Sequence, residues 1–260
     1  LSFHYGIAGS TNLETLTTVF RNSTQPTALS LIAMVLILGG LAFKLAAFPF
    51  HFYAPDVYQG TAPLTAGLLA FIPKAAGVIV LLRLFSYGVI GIESRTSSIV
   101  LLLGVVSMTV GNVLALRQDH LRRILAYSSI AHAGYMLLAI AVGFHHSPDS
   151  LFEGNQTLLF YLVSYALATI GTFGVLSYFS RQGNTIDHID QLAGLVYTHP
   201  LAAHCMAIFL FSLMGIPPFM GFWAKFSVLS GTLNYAFYWE NSHFLYATVI
   251  GAINAAIAAF

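Results

Sequence analysis

The chain has 260 residues, of which 57% are hydrophobic and only 7% are charged. Soluble domains carry roughly 25% charged residues, so this composition excludes a soluble globular protein. Ten basic residues against nine acidic ones exclude a protein that binds nucleic acid through a basic surface. The single cysteine, Cys205, excludes a disulfide framework and a metal site built from several cysteines.

Apolar stretches long enough to cross a bilayer as helices follow one another along the chain. About 20 apolar residues cross a hydrocarbon core of roughly 30 Å. This length predicts spans at 28–48, 62–88, 97–116, 121–144, 157–179, 199–235 and 243–260. The stretch 199–235 is too long for one helix, so we expect a break inside it. No alternating pattern typical of a membrane β-strand occurs, and the sequence therefore predicts an all-α, polytopic transmembrane helical bundle.

No shift in composition marks a domain boundary, so we expect a single transmembrane domain over residues 1–260. The sequence begins without Met and stops within an apolar run. We therefore expect an internal fragment that is incomplete at both ends. Alternating the spans puts Arg117, Arg122 and Arg123 on the same side as Arg181. The positive-inside rule then predicts that the 117–123 loop is cytoplasmic.

All three lysines of the chain, Lys44, Lys74 and Lys225, lie inside apolar stretches. A lysine inside a bilayer costs about 2.5–3.5 kcal/mol on insertion scales. In one interpretation, each stem lies along apolar surface while the ammonium reaches the interface. In the other, the lysine faces the protein interior and exchanges a proton near neutral pH, which an arginine does not do. Three such lysines together favour the second interpretation.

Helix-breaking residues stand beside two of these lysines. Pro49 follows Lys44 by five residues, and the pair Pro217 and Pro218 precedes Lys225. Prolines remove backbone donors and break helices. Irregular backbone at membrane depth is tolerated where it is buried in protein or lines a wet cavity, and ion-coupled transporters use broken helices at their ion sites. Plain proline kinks are the alternative, but a kink beside a lysine, found twice, favours two discontinuous helices at an ion path.

The span 121–144 carries a polar face in which Ser128, His132 and Tyr135 are spaced three or four residues apart. An imidazole titrates near neutral pH, so His132 suits proton relay. Hydrogen bonding between helices is the alternative interpretation. No Walker A, GxSxG, HExxH or CxxC motif occurs, and no GxGxxG precedes a helix. We therefore expect neither a redox cofactor nor a metal site in this chain.

Three ordered motifs resemble those of the N subunit of bacterial respiratory complex I, NADH:quinone oxidoreductase. They are FKLAAFPFHFYAPDVYQGTAPLTAGLLAFIPKAAG at 43–77, GNVLALRQDHLRRILAYSSIAHAGY at 111–135 and SLMGIPPFMGFWAKF at 212–226. The resemblance implies an antiporter-like fold with two inverted repeats, each containing a broken helix. It places Lys44 and Lys225 on the lysines of the two broken helices, and Lys74 on the lysine of the helix after the first.

The resemblance also places His51 and His132 on polar positions of the family's proton path. It implies a proton-translocating subunit of the bacterial inner (plasma) membrane, coupled to quinone reduction elsewhere in the complex. NADH, FMN, iron–sulfur clusters and quinone are then expected in other subunits. The expected partners are the lipid bilayer and other membrane subunits, including neighbouring antiporter-like ones, with no nucleic acid.

One feature of the family has no counterpart in this sequence: the glutamate on the family's fifth helix, which pairs with these lysines. Two alternatives to the complex I function stay open. The first is a cation/proton antiporter subunit that is not coupled to electron transfer. The second is a structural membrane scaffold whose lysines only pair with partner helices.

Overall fold

The computed structural model describes residues 2–22, 28–86, 93–143, 154–181 and 186–259. These residues form twelve α-helices: α1 (Ser2–Ala8), α2 (Leu13–Asn22), α3 (Ala28–Leu45), α4 (Tyr53–Gly60), α5 (Pro63–Ser86), α6 (Glu93–Ala115), α7 (Leu121–Gly143), α8 (Gly154–Arg181), α9 (Leu195–Thr198), α10 (Pro200–Met214), α11 (Met220–Tyr238) and α12 (Ser242–Ile257). A short 3-10 helix, Ile189–Leu192, precedes α9. The only β-structure in the described ranges is an isolated bridge between His120 and His188, so the predicted all-α fold is confirmed.

Five of the helices in the described ranges are long and apolar enough to cross a membrane. These segments are Ala28–Leu45, Pro63–Leu84, Thr96–Ala115, Leu121–Gly143 and Asn155–Ser180. The apolar helices α10 and α12 are shorter. Residues 87–88, 144 and 260 of the predicted spans, and the side chain of Arg181, lie outside the described part of the chain.

The chain leaves the helical path at two places, which confirms the prediction of two discontinuous helices. At the first break, helix α3 ends at Leu45 rather than at the predicted residue 48, because Ala46 takes a φ of 55°. The backbone N–H of Phe48, which the break removes from the helix, is satisfied by Ser107 of α6: it donates to Ser107 Oγ at 2.9 Å. The second break lies between α10 and α11, where Gly215 has a φ of 84° that a residue without Cβ adopts readily.

Helix α7 lies at the centre of the bundle and packs against α4, α5, α6, α8 and α11. Of its apolar span, 83% is buried. The approach to α6 is the tightest: a Cβ on Gly134 would stand 2.6 Å from the carbonyl oxygen of Gly104. Outer helices instead expose large apolar side chains, such as Leu36, Ile72 and Leu167. Polar side chains on α7 are therefore enclosed by protein, while the outer faces suit an apolar environment.

Candidate functional site

Lys74 lies in the middle of α5, and its side chain is 2% exposed. Its ammonium donates to both the backbone carbonyl and the hydroxyl oxygen of Ser129 on α7. It also lies 5.5 Å from the centre of the Tyr165 ring on α8. A buried ammonium is tolerated only when acceptors replace the lost water. Two oxygens and an aromatic face supply this replacement.

The Ser129 hydroxyl joins four helices. Besides Lys74 of α5, it meets the hydroxyl of Tyr165 of α8, which donates to it at 2.9 Å. It also pairs with the hydroxyl of Tyr58 on α4 at 3.2 Å. Ser129, Tyr58 and Tyr165 are all buried. The packing of α4, α5 and α8 on α7 therefore brings their polar groups to one oxygen atom.

His132 lies about one turn after Ser129 on α7 and is 6% exposed. Its Nδ1 is 2.7 Å from the hydroxyl of Tyr161 on α8, and either atom can be the donor. The imidazole centre is 5.0 Å from that of the Tyr165 ring. The same Tyr165 ring faces the Lys74 ammonium. His132 and Lys74 therefore share Tyr165 as a neighbour.

Lys225 is 4% exposed and lies on α11, after the second break. Its ammonium donates to the carbonyl of Met214 at 2.8 Å. Met214 ends α10, and carbonyls at a helix C-terminus lack intrahelical partners and carry partial negative charge. The break therefore supplies an acceptor for the lysine. A Cβ on Gly215 would stand 2.9 Å from Lys225 Cδ, so a side chain at this position would displace the lysine from its acceptor.

Tyr135 completes the link to Lys225. Its ring centre lies 5.6 Å from the Lys225 ammonium, and the ring stacks on Tyr161 with centroids 6.2 Å apart. Its hydroxyl donates to the carbonyl of Gly251 on α12 at 2.8 Å, which fixes the ring. We call the resulting chain of groups the lysine path: Lys74, Ser129, Tyr165, His132, Tyr161, Tyr135 and Lys225. Ammonium, imidazole and hydroxyl groups are the side chains that hold and transfer protons.

Some links of the lysine path are ring contacts rather than hydrogen bonds, so a proton could cross them only through a water molecule or a side-chain movement. A small cavity lies beside Ser129 and Tyr165, with Thr169 and Thr172 on its wall, and it has room for about one water molecule. Thr169 Oγ1 is buried without a partner of normal hydrogen-bond geometry among the described residues. A water in this cavity would satisfy it.

Lys44 and His51 are not joined to the lysine path by any contact within the described ranges. The expected burial of Lys44 is wrong, because α3 packs its opposite face on the bundle and leaves this side chain exposed. Its stem still passes α5: Lys44 Cγ is 3.8 Å from where a Cβ on Gly77 would stand, one turn from Lys74. His51 is 3% exposed between the rings of Phe48 and Phe52, and its Nδ1 has no hydrogen-bond partner among the described residues.

The sequence pattern selected Ser128 as the neighbour of His132, but the structure brings Ser129 to the lysine instead. Ser129, His132 and Tyr135 recur at a spacing of three, and this spacing was the signal that could have identified the correct serine. The sequence pattern does not select Tyr58 or Tyr161. The position of a tyrosine within an apolar stretch does not indicate which helix its hydroxyl will contact.

Among the described residues, two ion pairs stand at one end of the bundle, at the start of α7. Arg122 pairs with Asp187 at 2.7 Å and donates to the carbonyl of Thr61 at 2.9 Å. Arg123 pairs with Asp56 of α4 at 2.8 Å. Together they tie the start of α7 to the end of α4 and to the segment after residue 186. In the described ranges, no group of three or more His, Cys, Asp or Glu side chains could hold a metal ion.

Comparison with known proteins places this architecture in a family. The family model described as "NADH:quinone oxidoreductase/Mrp antiporter, TM" matches residues 1–251. The chain belongs to this family. It is 40% identical over 245 residues to NADH-quinone oxidoreductase subunit N 2 of Acidobacterium capsulatum, covering 91% of this chain and 47% of that protein. The resemblance to subunit N is thereby confirmed, and the chain spans about half the length of the curated relatives it matches.

Solved structures show the same fold. A chain of respiratory complex I from Thermus thermophilus superposes with a TM-score of 0.73 at 33% identity, covering 99% of this chain and 52% of that one. A chain of the Mrp complex from a Dietzia species superposes with a TM-score of 0.81 at 24% identity, covering 99% of this chain and 45% of that one. The second match shows the fold alone. The antiporter-like polytopic helical fold is therefore confirmed.

Proposed function

We propose that this chain forms part of a proton-translocating membrane subunit of bacterial NADH:quinone oxidoreductase. The observation that supports this function is the lysine path, which joins Lys74 and Lys225 through His132 inside the bundle. Protons would move through these groups, with quinone reduction elsewhere in the complex as the driving reaction. The membrane would be the bacterial inner membrane, with the 117–123 loop on the cytoplasmic side.

In the proposed route, Lys44 takes a proton from the cytoplasmic half-channel, Lys74 and His132 pass it laterally, and Lys225 delivers it to the exit. The stem of Lys44 beside Gly77 supports this order, because Gly77 is one turn from Lys74 on α5. His51 would line the entrance beside the first break. Lysine suits the role because its ammonium can lose a proton inside a protein, whereas a guanidinium stays charged.

Other subunits would carry NADH, FMN, iron–sulfur clusters and quinone, and they would be the partners of this chain together with the lipid bilayer and neighbouring antiporter-like subunits. The role of this chain would be to hold protons and to exclude bulk water from their path. Its buried α7 and the apolar surfaces of the outer helices support that role.

The test is proton pumping by the complete complex in proteoliposomes. Lys74→Ala and Lys225→Ala are each expected to lower the number of protons moved per NADH oxidised by more than half, at normal assembly. Arg83→Ala serves as the control, because Arg83 is an exposed cation on α5 away from the path. Full pumping by both lysine variants would overturn the proposal. Lost assembly with unchanged pumping per complex would indicate a scaffold instead.

A second candidate is a cation/proton antiporter subunit without electron transfer. The description of the matching family, which names Mrp antiporters beside NADH:quinone oxidoreductase, favours it. A gene neighbourhood without the other complex I subunits would support this candidate. Sodium-dependent proton movement without NADH, measured in everted vesicles, would establish it directly.

A further inference from the structure

The hydrogen-bonding capacity of the Ser129 hydroxyl is fully used. A serine hydroxyl has one hydrogen to donate and two lone pairs that accept. Lys74 and Tyr165 both donate to Ser129 Oγ, and together they occupy both lone pairs. The hydroxyl hydrogen is then left for the oxygen of Tyr58, 3.2 Å away on α4. In the charged state of Lys74, the bond therefore runs from Ser129 to Tyr58.

Loss of a proton from Lys74 changes this pattern. A neutral amine has two hydrogens and one lone pair, so Lys74 can keep its bond to the Ser129 carbonyl while its nitrogen becomes an acceptor. The Ser129 hydroxyl is the donor already in contact with that nitrogen. Once it donates to Lys74, its oxygen is free to accept from Tyr58. The bond between Ser129 and Tyr58 then runs in the opposite direction.

We propose that Ser129 is a positioning residue whose hydroxyl reverses its donor direction when Lys74 changes its charge, and so couples that charge to Tyr58 and α4. This inference rests on the proposed function, in which the proton that leaves Lys74 passes to His132. No covalent bond changes apart from that proton transfer.

The position of α4 gives the coupling a consequence. Tyr58 is 3% exposed, and its ring packs edge-on against Phe173 of α8 at 5.9 Å, so the ring is held in place and its hydroxyl oxygen stays beside Ser129. The same short helix carries Asp56, which pairs with Arg123 in the first turn of α7. Helix α4 therefore extends from the lysine path to the Asp56–Arg123 ion pair at one end of the bundle, so a movement of Tyr58 would be passed along this short helix to that pair.

The test measures the pH profile of proton pumping by the complete complex in proteoliposomes, between about pH 6 and 9. Ser129→Ala removes an acceptor of the ammonium, so the pH at which pumping falls to half is expected to move down by about one unit, the scale of one hydrogen bond to a charged group. Tyr58→Phe is expected to move it in the same direction by less. In the charged state the Ser129 hydrogen loses its acceptor, whereas in the neutral state the Ser129 oxygen still accepts from Tyr165. Ser129→Thr keeps the hydroxyl and should restore the profile.

Ser227→Ala is the matched control: Ser227 is buried in α11, and its hydroxyl bonds the Ala224 carbonyl of its own helix at 3.0 Å. A wild-type profile for Ser129→Ala, with Lys74→Ala inactive, would overturn this inference and leave the proposed function standing. Normal pumping by Lys74→Ala would instead overturn the proposed function. If Ser129→Ala fails to assemble, Tyr58→Phe decides, and an unchanged profile there overturns the inference.

Discussion

The contact between α6 and α7 is close enough that one added methyl group should disturb it. A Cβ on Gly134 would stand 2.6 Å from the carbonyl oxygen of Gly104 and 2.7 Å from the backbone nitrogen of Met108. Ordinary contacts begin at 3.4 Å. Because both neighbours are backbone atoms, no side chain can turn away, and Gly134→Ala forces the two helices apart by about 0.8 Å.

The size of the effect follows from two opposing contributions. Overpacking a well-packed core costs typically 1–3 kcal/mol, whereas replacing glycine by alanine within a helix gains up to about 1 kcal/mol. We therefore expect a net loss of about 1–2 kcal/mol in stability. Helix α7 also carries His132, whose 2.7 Å contact with Tyr161 would lengthen to about 3.5 Å if the displacement were directed along it. Pumping should then fall as well.

The assay is the melting temperature of the purified complex in detergent, followed by the amount that remains assembled after heating. Gly174→Ala is the matched control, since a Cβ there would have no heavy atom within 4 Å and the substitution should be neutral or stabilising. Gly134→Ala should melt below wild type, and Gly174→Ala should not. Equal melting temperatures for the two variants would refute the close approach of α6 and α7.

Three further predictions concern other contacts. Asn254→Leu should destabilise the protein by about 1–2 kcal/mol, because Asn112 Nδ2 loses its acceptor, the Oδ1 of Asn254 at 3.0 Å. Replacing both asparagines by leucine should lower the free energy of unfolding by less than the sum of the two single changes. Strict additivity of the two changes would contradict the pairing. Arg122→Ala should speed proteolysis of residues 186–192, since it removes the partly buried pair with Asp187; an unchanged rate would contradict this anchoring role. Burial, and to a smaller extent the positive charge of Arg122, lower the pKa of His120 below its ordinary 6.5. The unfolded chain therefore binds that proton more readily, stability should fall as the pH drops through 6.5, and His120→Gln should flatten this fall in a melting-temperature profile from pH 8 to 5.

The helices that the sequence predicted are those that hydropathy can detect. Long apolar stretches gave α5, α6, α7 and α8 with bounds that differ by a few residues from the structure. The short helices α1, α2, α4 and α9 were not predicted, because none of them is an apolar stretch of membrane-spanning length. Helix α4 shows the reason: it contains Pro55 and Asp56 within eight residues, a composition that is typical of a loop. Proline is nevertheless tolerated in the first turn of a helix.

The candidate site was predictable only where one residue type, lysine, marked it in the sequence. A lysine within an apolar stretch is unusual enough to select Lys74 and Lys225, and the structure buries both. The same argument was wrong about the burial of Lys44, because an apolar neighbourhood in sequence does not say which face of a helix meets the bundle. The contact of Tyr58 and Tyr165 with Ser129 depends on how α4, α7 and α8 pack together. The periodicity of polar residues within one helix cannot predict such a contact between helices.

The acceptors around the two buried lysines bear on the proposed proton path. Neither ammonium has a carboxylate partner among the described residues; Lys74 is held by Ser129 and an aromatic ring, and Lys225 by a helix-end carbonyl and another ring. Like charges in a low-dielectric bundle repel one another. Under the proposed function, a proton added at one end of the path would therefore act on the imidazole of His132 and on the lysine beyond it, and it would favour loss of a proton there.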